Sequence, residues 1–267
     1  MIHGPLPAAV RPPLYSLKVN QNAIGRLYRV SRVEKGPIPK DRIFHPPFQL
    51  RHKVGQHRYG IPGFPCLYLG DSLALCATEL RVRSRELTKL AISEFAVRDS
   101  VEVRFLDFGY RPWTIGRFAF GREIELLRHH PRPNPRLEDM IVNYATCWPL
   151  IAAASIKVKH DGDPFAHEYI VPQMILQWLI ENSDCHGIRY FSTRKLYSDP
   201  SLLHGTINYV FPASHLSGPQ VGYSQRLKDM FEYSDPEVWG ARKKRPLENE
   251  MVAKQAYLAT LSKSALR

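Results

Sequence analysis

The apolar positions along this chain change period several times, and each change marks an element. Residues 25–30 (GRLYRV) read as a short strand. An apolar run follows at 65–70 (PCLYLG) and reads as a second. Asp71 or Ser72 can cap the helix after it, whose buried face is set by Leu73, Cys76, Ala77 and Leu80 at helical spacing. Glu79 falls one turn beyond Leu75, at the edge of that face. Residues 101–108 (VEVRFLDF) alternate well enough for a strand. A helical pattern at 137–159 is expected to break at Pro149. The clearest helix spans 168–182, with Ile170, Val171, Met174, Ile175, Trp178 and Leu179 as its apolar stripe and Pro172 in its first turn. Strands are predicted at 188–191 and 207–211, and a terminal helix around 248–261.

Between these elements the punctuation is uneven. Four prolines in residues 1–22 predict an extended arm. Residues 35–65 carry Pro37, Pro39, Pro46, Pro47, Gly55, Gly60, Pro62 and Gly63, which rules out a long helix and leaves a long shaped loop. Loops of that length in compact domains usually carry function. Residues 110–136 read as irregular. The interleaving predicts an α+β fold with one mixed-sheet domain at 23–220, an arm at 1–22 and a basic helical extension at 221–267.

Composition changes this picture little. The 267 residues suffice for a sizeable core, and 44% apolar with 23% charged is ordinary for a globular chain. The formal charge of +12 admits nucleic acid, an anionic small molecule or an acidic partner. The basic residues are scattered, and the one tight run, Arg242-Lys243-Lys244-Arg245, reads as a solvated face. The four cysteines form no C-x-x-C pair, the first ten residues lack a secretory pattern, and no stretch approaches 18 apolar residues. The expectation is a reduced cytoplasmic protein without a membrane span. Neither His129-His130 nor the pair His160 and His167 has carboxylates or cysteines at metal-ligand spacing, so no metal is expected.

One stretch is dense in chemistry. It places Arg58-Tyr59-Gly60 on a loop, Leu67-Tyr68-Leu69 on a strand and Thr78-Glu79 on the next helix. With Tyr28-Arg29 upstream, and Arg189-Tyr190-Phe191-Ser192 and Asn208-Tyr209-Val210 downstream, the order and spacing resemble the RES domain, named for its arginine, glutamate and serine. The likeness spans about residues 25–212. It departs at His57, where glycine is common, and residues 110–165 and those after 220 look like additions.

The resemblance implies an ADP-ribosyltransferase-like fold, a split mixed sheet with an NAD⁺ cleft and flanking helices. It also implies a bacterial toxin that depletes NAD⁺ by hydrolysis or phosphorolysis, with NAD⁺ as substrate. A helix-turn-helix antitoxin is the implied partner, and nucleic acid enters only through it. The catalytic set would be Glu79, Tyr68 and Arg58, and the substrate-binding set Arg29, Arg58, Tyr68 and Ser192. The residue types suit the chemistry. Nicotinamide leaves already cationic, so the demand falls on a carboxylate facing the oxocarbenium-like ribose, for which Glu79 is the candidate. Arginine supplies the permanent, bidentate charge a pyrophosphate needs. Tyr68 would pack on nicotinamide or ribose, and Ser192 would hold one of them by hydrogen bonding rather than act as a nucleophile. Each residue also has an ordinary structural role open to it: surface glutamate, loop-holding arginine, core tyrosine, strand-end serine. Two other functions remain in view, namely transfer of ADP-ribose to a macromolecule and non-enzymatic binding by a basic domain.

Overall fold

The computed structural model describes residues 16–19, 24–33, 38–82, 86, 89–112, 115–116, 137–159, 165–194, 206–213 and 221–239. The expected terminal helix at 248–261, most of the arm at 1–22 and the histidines at 129, 130 and 160 lie outside them. The described strands are β1 (Ser16–Val19), β2 (Leu27–Arg32), β3 (Cys66–Gly70), β4 (Leu90–Val97), β5 (Val103–Phe108), β6 (Gly187–Phe191), β7 (Ile207–Pro212), β8 (Phe231–Tyr233) and β9 (Glu237–Val238). The helices are α1 (Leu73–Glu79), α2 (Leu137–Ala154), α3 (Ile170–Asn182) and α4 (Gln225–Met230).

All described strands join one mixed sheet in the order β1-β5-β6-β7-β3-β2-β4-β8, with β9 also pairing β4. The β5–β6 pair is parallel and the other pairs are antiparallel. The fold is therefore α+β. The sheet nearly divides in its middle. β3 and β7 share five registered pairs and β2 and β4 share six, but β2 and β3 meet only at Tyr28 and Gly70. Beyond that bridge the strands diverge, and backbone groups along the seam need other partners. Arg29 supplies one, its Nη1 donating to the Tyr68 carbonyl at 3.1 Å.

The local causes are legible. Ser72 rather than Asp71 caps α1, its side chain accepting from the Leu75 N–H at 3.1 Å. Leu73, Leu75 and Cys76 are buried beneath that helix, whereas Ala77 and Leu80 are only partly covered. The long proline-rich segment folds as two 3-10 turns, Lys40–Ile43 and Phe48–Lys53, that bury Ile43, Phe44 and Phe48. Phe44 stacks on Phe95 and Tyr233, and Phe95 meets Phe231 edge-on, so loop, β4 and β8 share one aromatic core.

Several expectations are corrected. β4 (LAISEFAV) was not expected; its near-continuous burial hides the period-two signature. α2 runs through Pro149 to Ala154, losing only the amide that proline lacks. The face of α3 is rotated by about one position: Pro172, Ile175, Leu176, Leu179 and Ile180 are buried, while Ile170 and Met174 are exposed. The sheet also continues past the boundary expected at 220, since β8 and β9 pair with β4, and Ser16–Val19 of the expected arm pairs with β5.

Candidate functional site

α1 ends on Glu79, and its short length brings that side chain over the ends of β6 and β7. Glu79 Oε1 accepts two hydrogen bonds, from Ser192 Oγ at 2.7 Å and from Asn208 Nδ2 at 2.8 Å. Its Oε2 faces Arg194 Nε at 3.2 Å. Ser192 and Asn208 are buried, whereas about 30% of the Glu79 side chain is exposed, so one side of the carboxylate is fixed inside the protein and the other, facing Arg194, is partly exposed. The Ser192 hydroxyl also accepts from the Arg194 N–H at 3.1 Å. Its single proton is spent on Glu79, and the serine therefore orients the carboxylate. The Ser192 backbone is held by its N–H to the Thr206 carbonyl at 2.8 Å and by Arg111 Nη2 to its own carbonyl at 3.4 Å.

Cross-strand register puts Asn208, Tyr190, Gly70 and Tyr68 on one face, since Asn208 lies opposite both Gly70 and Tyr190 and Tyr68 opposite Val210. Tyr190 is pushed well above the usual phenol range, by burial first and then by the Glu79 charge. Burial does the same to Tyr68. Both phenols stay neutral and keep a proton to donate. The Tyr68 hydroxyl is sealed from solvent and has no partner among the described residues. The His57 ring packs edge-on to the Tyr68 ring with centroids 5.6 Å apart, and a side chain at Gly60 would collide with the Tyr68 hydroxyl. That collision gives the glycine next to Arg58-Tyr59 a physical reason.

Arg29 stands at the seam between β2 and β3. Burial lowers its guanidinium to about 10, with Cys76 and Tyr68 opposing the shift. No carboxylate pairs with it among the described residues, and its Nε has no partner. A half-buried cation without a counter-charge is costly, which makes the seam attractive to an anion.

Arg58 is placed differently. Its Nη1 donates to the carbonyls of Ala154 at 2.7 Å and Ile156 at 2.9 Å, and its Nη2 to Thr193 Oγ1 at 3.0 Å. Its guanidinium lies 5.2 Å from the centre of the Tyr169 ring. It thus closes the C-terminal end of α2, where carbonyls lack helical donors, and ties that end to the residue after Ser192. Of the five residues singled out from sequence, Glu79 and Ser192 touch. Arg58 reaches the neighbouring Thr193, and Arg29 and Tyr68 meet one another at the seam. Asn208, Arg194, Thr193 and Arg111 were missed as site residues. Asn208 had a signal, since it opens the Asn-Tyr pair already matched; the others follow a strand end and had none.

A cleft of about 590 Å³ opens between the end of α2 and the start of α3, lined by Ala153, Ile156, Lys157, Lys159, His167 and Val171 among others. It does not include Glu79. Among the described residues no group of three or more His, Cys, Asp and Glu is assembled for a metal, and no helix is long and apolar enough to cross a membrane.

Comparison with known proteins gives this geometry a family. The chain is 31% identical over 226 residues to a Bacillus subtilis (strain 168) protein described as "Putative toxin YopC". The match takes in 80% of this chain and 46% of that protein, so the chain spans about half the length of this curated relative. The RES domain model matches residues 26–220, which contain Arg29, Arg58, Tyr68, Glu79, Ser192 and Asn208. The chain belongs to the RES domain family.

Proposed function

We propose that this chain is an NAD⁺-degrading enzyme that breaks the nicotinamide–ribose bond and acts as a toxin held in check by an antitoxin partner. The observation that carries the reading is the Glu79 carboxylate, pinned through one oxygen by Ser192 and Asn208, with its other oxygen in a partly exposed ion pair with Arg194. Such a fixed charge stabilises a cation without reorganising. Two further features support it: the guanidinium of Arg29, which no carboxylate among the described residues pairs, suits a pyrophosphate, and Tyr190 offers a neutral phenol near the carboxylate.

In this mechanism the C1′–N bond breaks and its electron pair leaves with nicotinamide, which becomes neutral. The ribose carries the positive charge toward Glu79. An oxygen of water then bonds to C1′ and passes its proton to solvent, or an anionic oxygen of inorganic phosphate bonds to C1′ with no proton to lose. Glu79 accepts the ribose hydroxyl and faces the cation, Ser192 and Asn208 hold Glu79, and Arg29 meets the phosphates. The toxin role rests on the likeness to the Bacillus putative toxin and on the family resemblance, which also supplies the helix-turn-helix antitoxin.

The test is incubation of the purified chain with NAD⁺ alone, with and without phosphate. Release of nicotinamide with free ADP-ribose or its phosphate is the expected result. Intact NAD⁺ in both conditions, or label appearing only on an added macromolecule, overturns the reading.

A further inference from the structure

The Glu79 carboxylate is not ready for a ribose as it stands. Oε1 is committed to two donors inside the protein, which leaves Oε2 for substrate, and Oε2 is paired with Arg194 Nε. A guanidinium there carries the wrong charge for the reaction, since it would face the same cationic ribose that the carboxylate must stabilise. The pair is about 30% exposed on both sides, so water can loosen it at small cost. Arg194 reaches it from the turn after β6, two residues beyond Ser192, and its own N–H grips the Ser192 hydroxyl. The backbone there is therefore anchored while the guanidinium sits on the open side of the site.

Resting on the NAD⁺-degrading role, we propose that Arg194 is an exchangeable latch on Glu79: the dinucleotide's phosphates draw its guanidinium away, and a ribose hydroxyl takes the vacated Oε2. Substrate charge thereby both frees the carboxylate and gains a second arginine beside Arg29. The guanidinium itself stays paired at both stages, because it trades a carboxylate for a phosphate. Selectivity follows from the same trade. A nicotinamide ribosyl compound without phosphates cannot pull the latch, and must compete with it for Oε2.

The experiment compares wild type with Arg194→Met and Arg194→Ala on two substrates, NAD⁺ and nicotinamide riboside, by steady-state release of nicotinamide. Thermal melts verify that the variants are folded. On NAD⁺ the variants should raise KM about tenfold or more, the loss of a charge-assisted contact, with kcat unchanged or higher. On nicotinamide riboside their kcat/KM should rise about two- to fivefold, the release of a half-exposed ion pair. A purely structural arginine would depress both substrates alike, and that result overturns the latch. If wild type leaves both substrates intact, the enzymatic reading falls and the latch with it. Wild-type turnover of NAD⁺ without the opposite response of the two substrates removes the latch alone.

Discussion

At the residue scale the carboxylate of Glu79 carries the most weight, and its neighbours differ in what they contribute. Glu79→Gln keeps the shape but removes the charge, and should cut NAD⁺ turnover by about 10²- to 10³-fold while leaving the melting temperature within a few degrees of wild type. Near-normal turnover in that variant would disprove the assignment. Ser192→Ala and Asn208→Ala each remove one donor from Oε1. They should lower kcat about tenfold or more with little change in KM, because the hydrogen bond each loses is to Glu79 rather than to substrate. A rise in KM at constant kcat for Ser192→Ala would instead show the serine holding substrate directly. Glu79 stood out only through the RES resemblance, because a carboxylate near a helix end by itself reads as a surface glutamate. The orienting role of Ser192 did not, because a hydroxyl reads the same whether its proton goes to ligand or to protein.

Elements position these side chains, and Arg58 shows how. Its contacts join three of them: the loop at 57–60, the end of α2 and the turn after β6. Gln173 on α3 adds a clamp, its Nε2 donating to the carbonyls of His57 and Gly60, both at 3.1 Å. Arg58→Ala would leave the carbonyls of Ala154 and Ile156 without their donor, a cost of about 1–3 kcal/mol. A urea titration should show that loss of stability, and Arg58→Lys should recover only part of it, because an ammonium lacks the planar fork. Unchanged stability with a raised KM would return Arg58 to the phosphate role expected from the motif. α3 carries the complementary lesson. Its helical period was plain, but the side of the stripe that is buried depends on where α2 and the loop lie against it, and Ile170 and Met174 ended outside.

Across the whole molecule, burial ties distant segments together and sets a pH dependence. His45, in the proline-rich loop, is 1% exposed, and the Ser224 N–H donates to its Nε2 at 2.8 Å, joining the loop to the cap of α4. That bond fixes the neutral tautomer, with Nδ1 donating to the Pro46 carbonyl at 2.7 Å. Desolvation lowers His45 from 6.5 to about 4, against the opposing Pro46 bond. The folded state therefore resists protonation. Its stability from this group is full above pH 6.5 and is lost as pH falls from 6.5 through 4, a change of about 3 kcal/mol. Urea midpoints measured between pH 7.5 and 4.5 should show this fall, and His45→Gln should flatten it; an equal slope in the variant would assign the effect elsewhere.

The sequence alone determined the local facts: where apolar runs become β3, β5, β6 and β7, where Ser72 or Asp71 opens α1, and which motif residues accompany one another along the chain. The elements follow from short-range sterics, capping and periodicity, which need no knowledge of distant segments, and the motif from its likeness to the RES domain. Tertiary structure decided the rest. β4, with Ser93 and Glu94 in its middle, lacks the alternation of a half-buried strand because neighbours cover most of both faces, and the sheet's reach to β8 depends on aromatic packing with Phe44, about 190 residues away by chain. The hydrogen bonds of Glu79 cross 113 and 129 residues of chain, and the seam that leaves Arg29 without a carboxylate among the described residues exists only because β2 and β3 part after a single bridge. Residue type settled which chemistry was available; long-range pairing settled which atoms face one another.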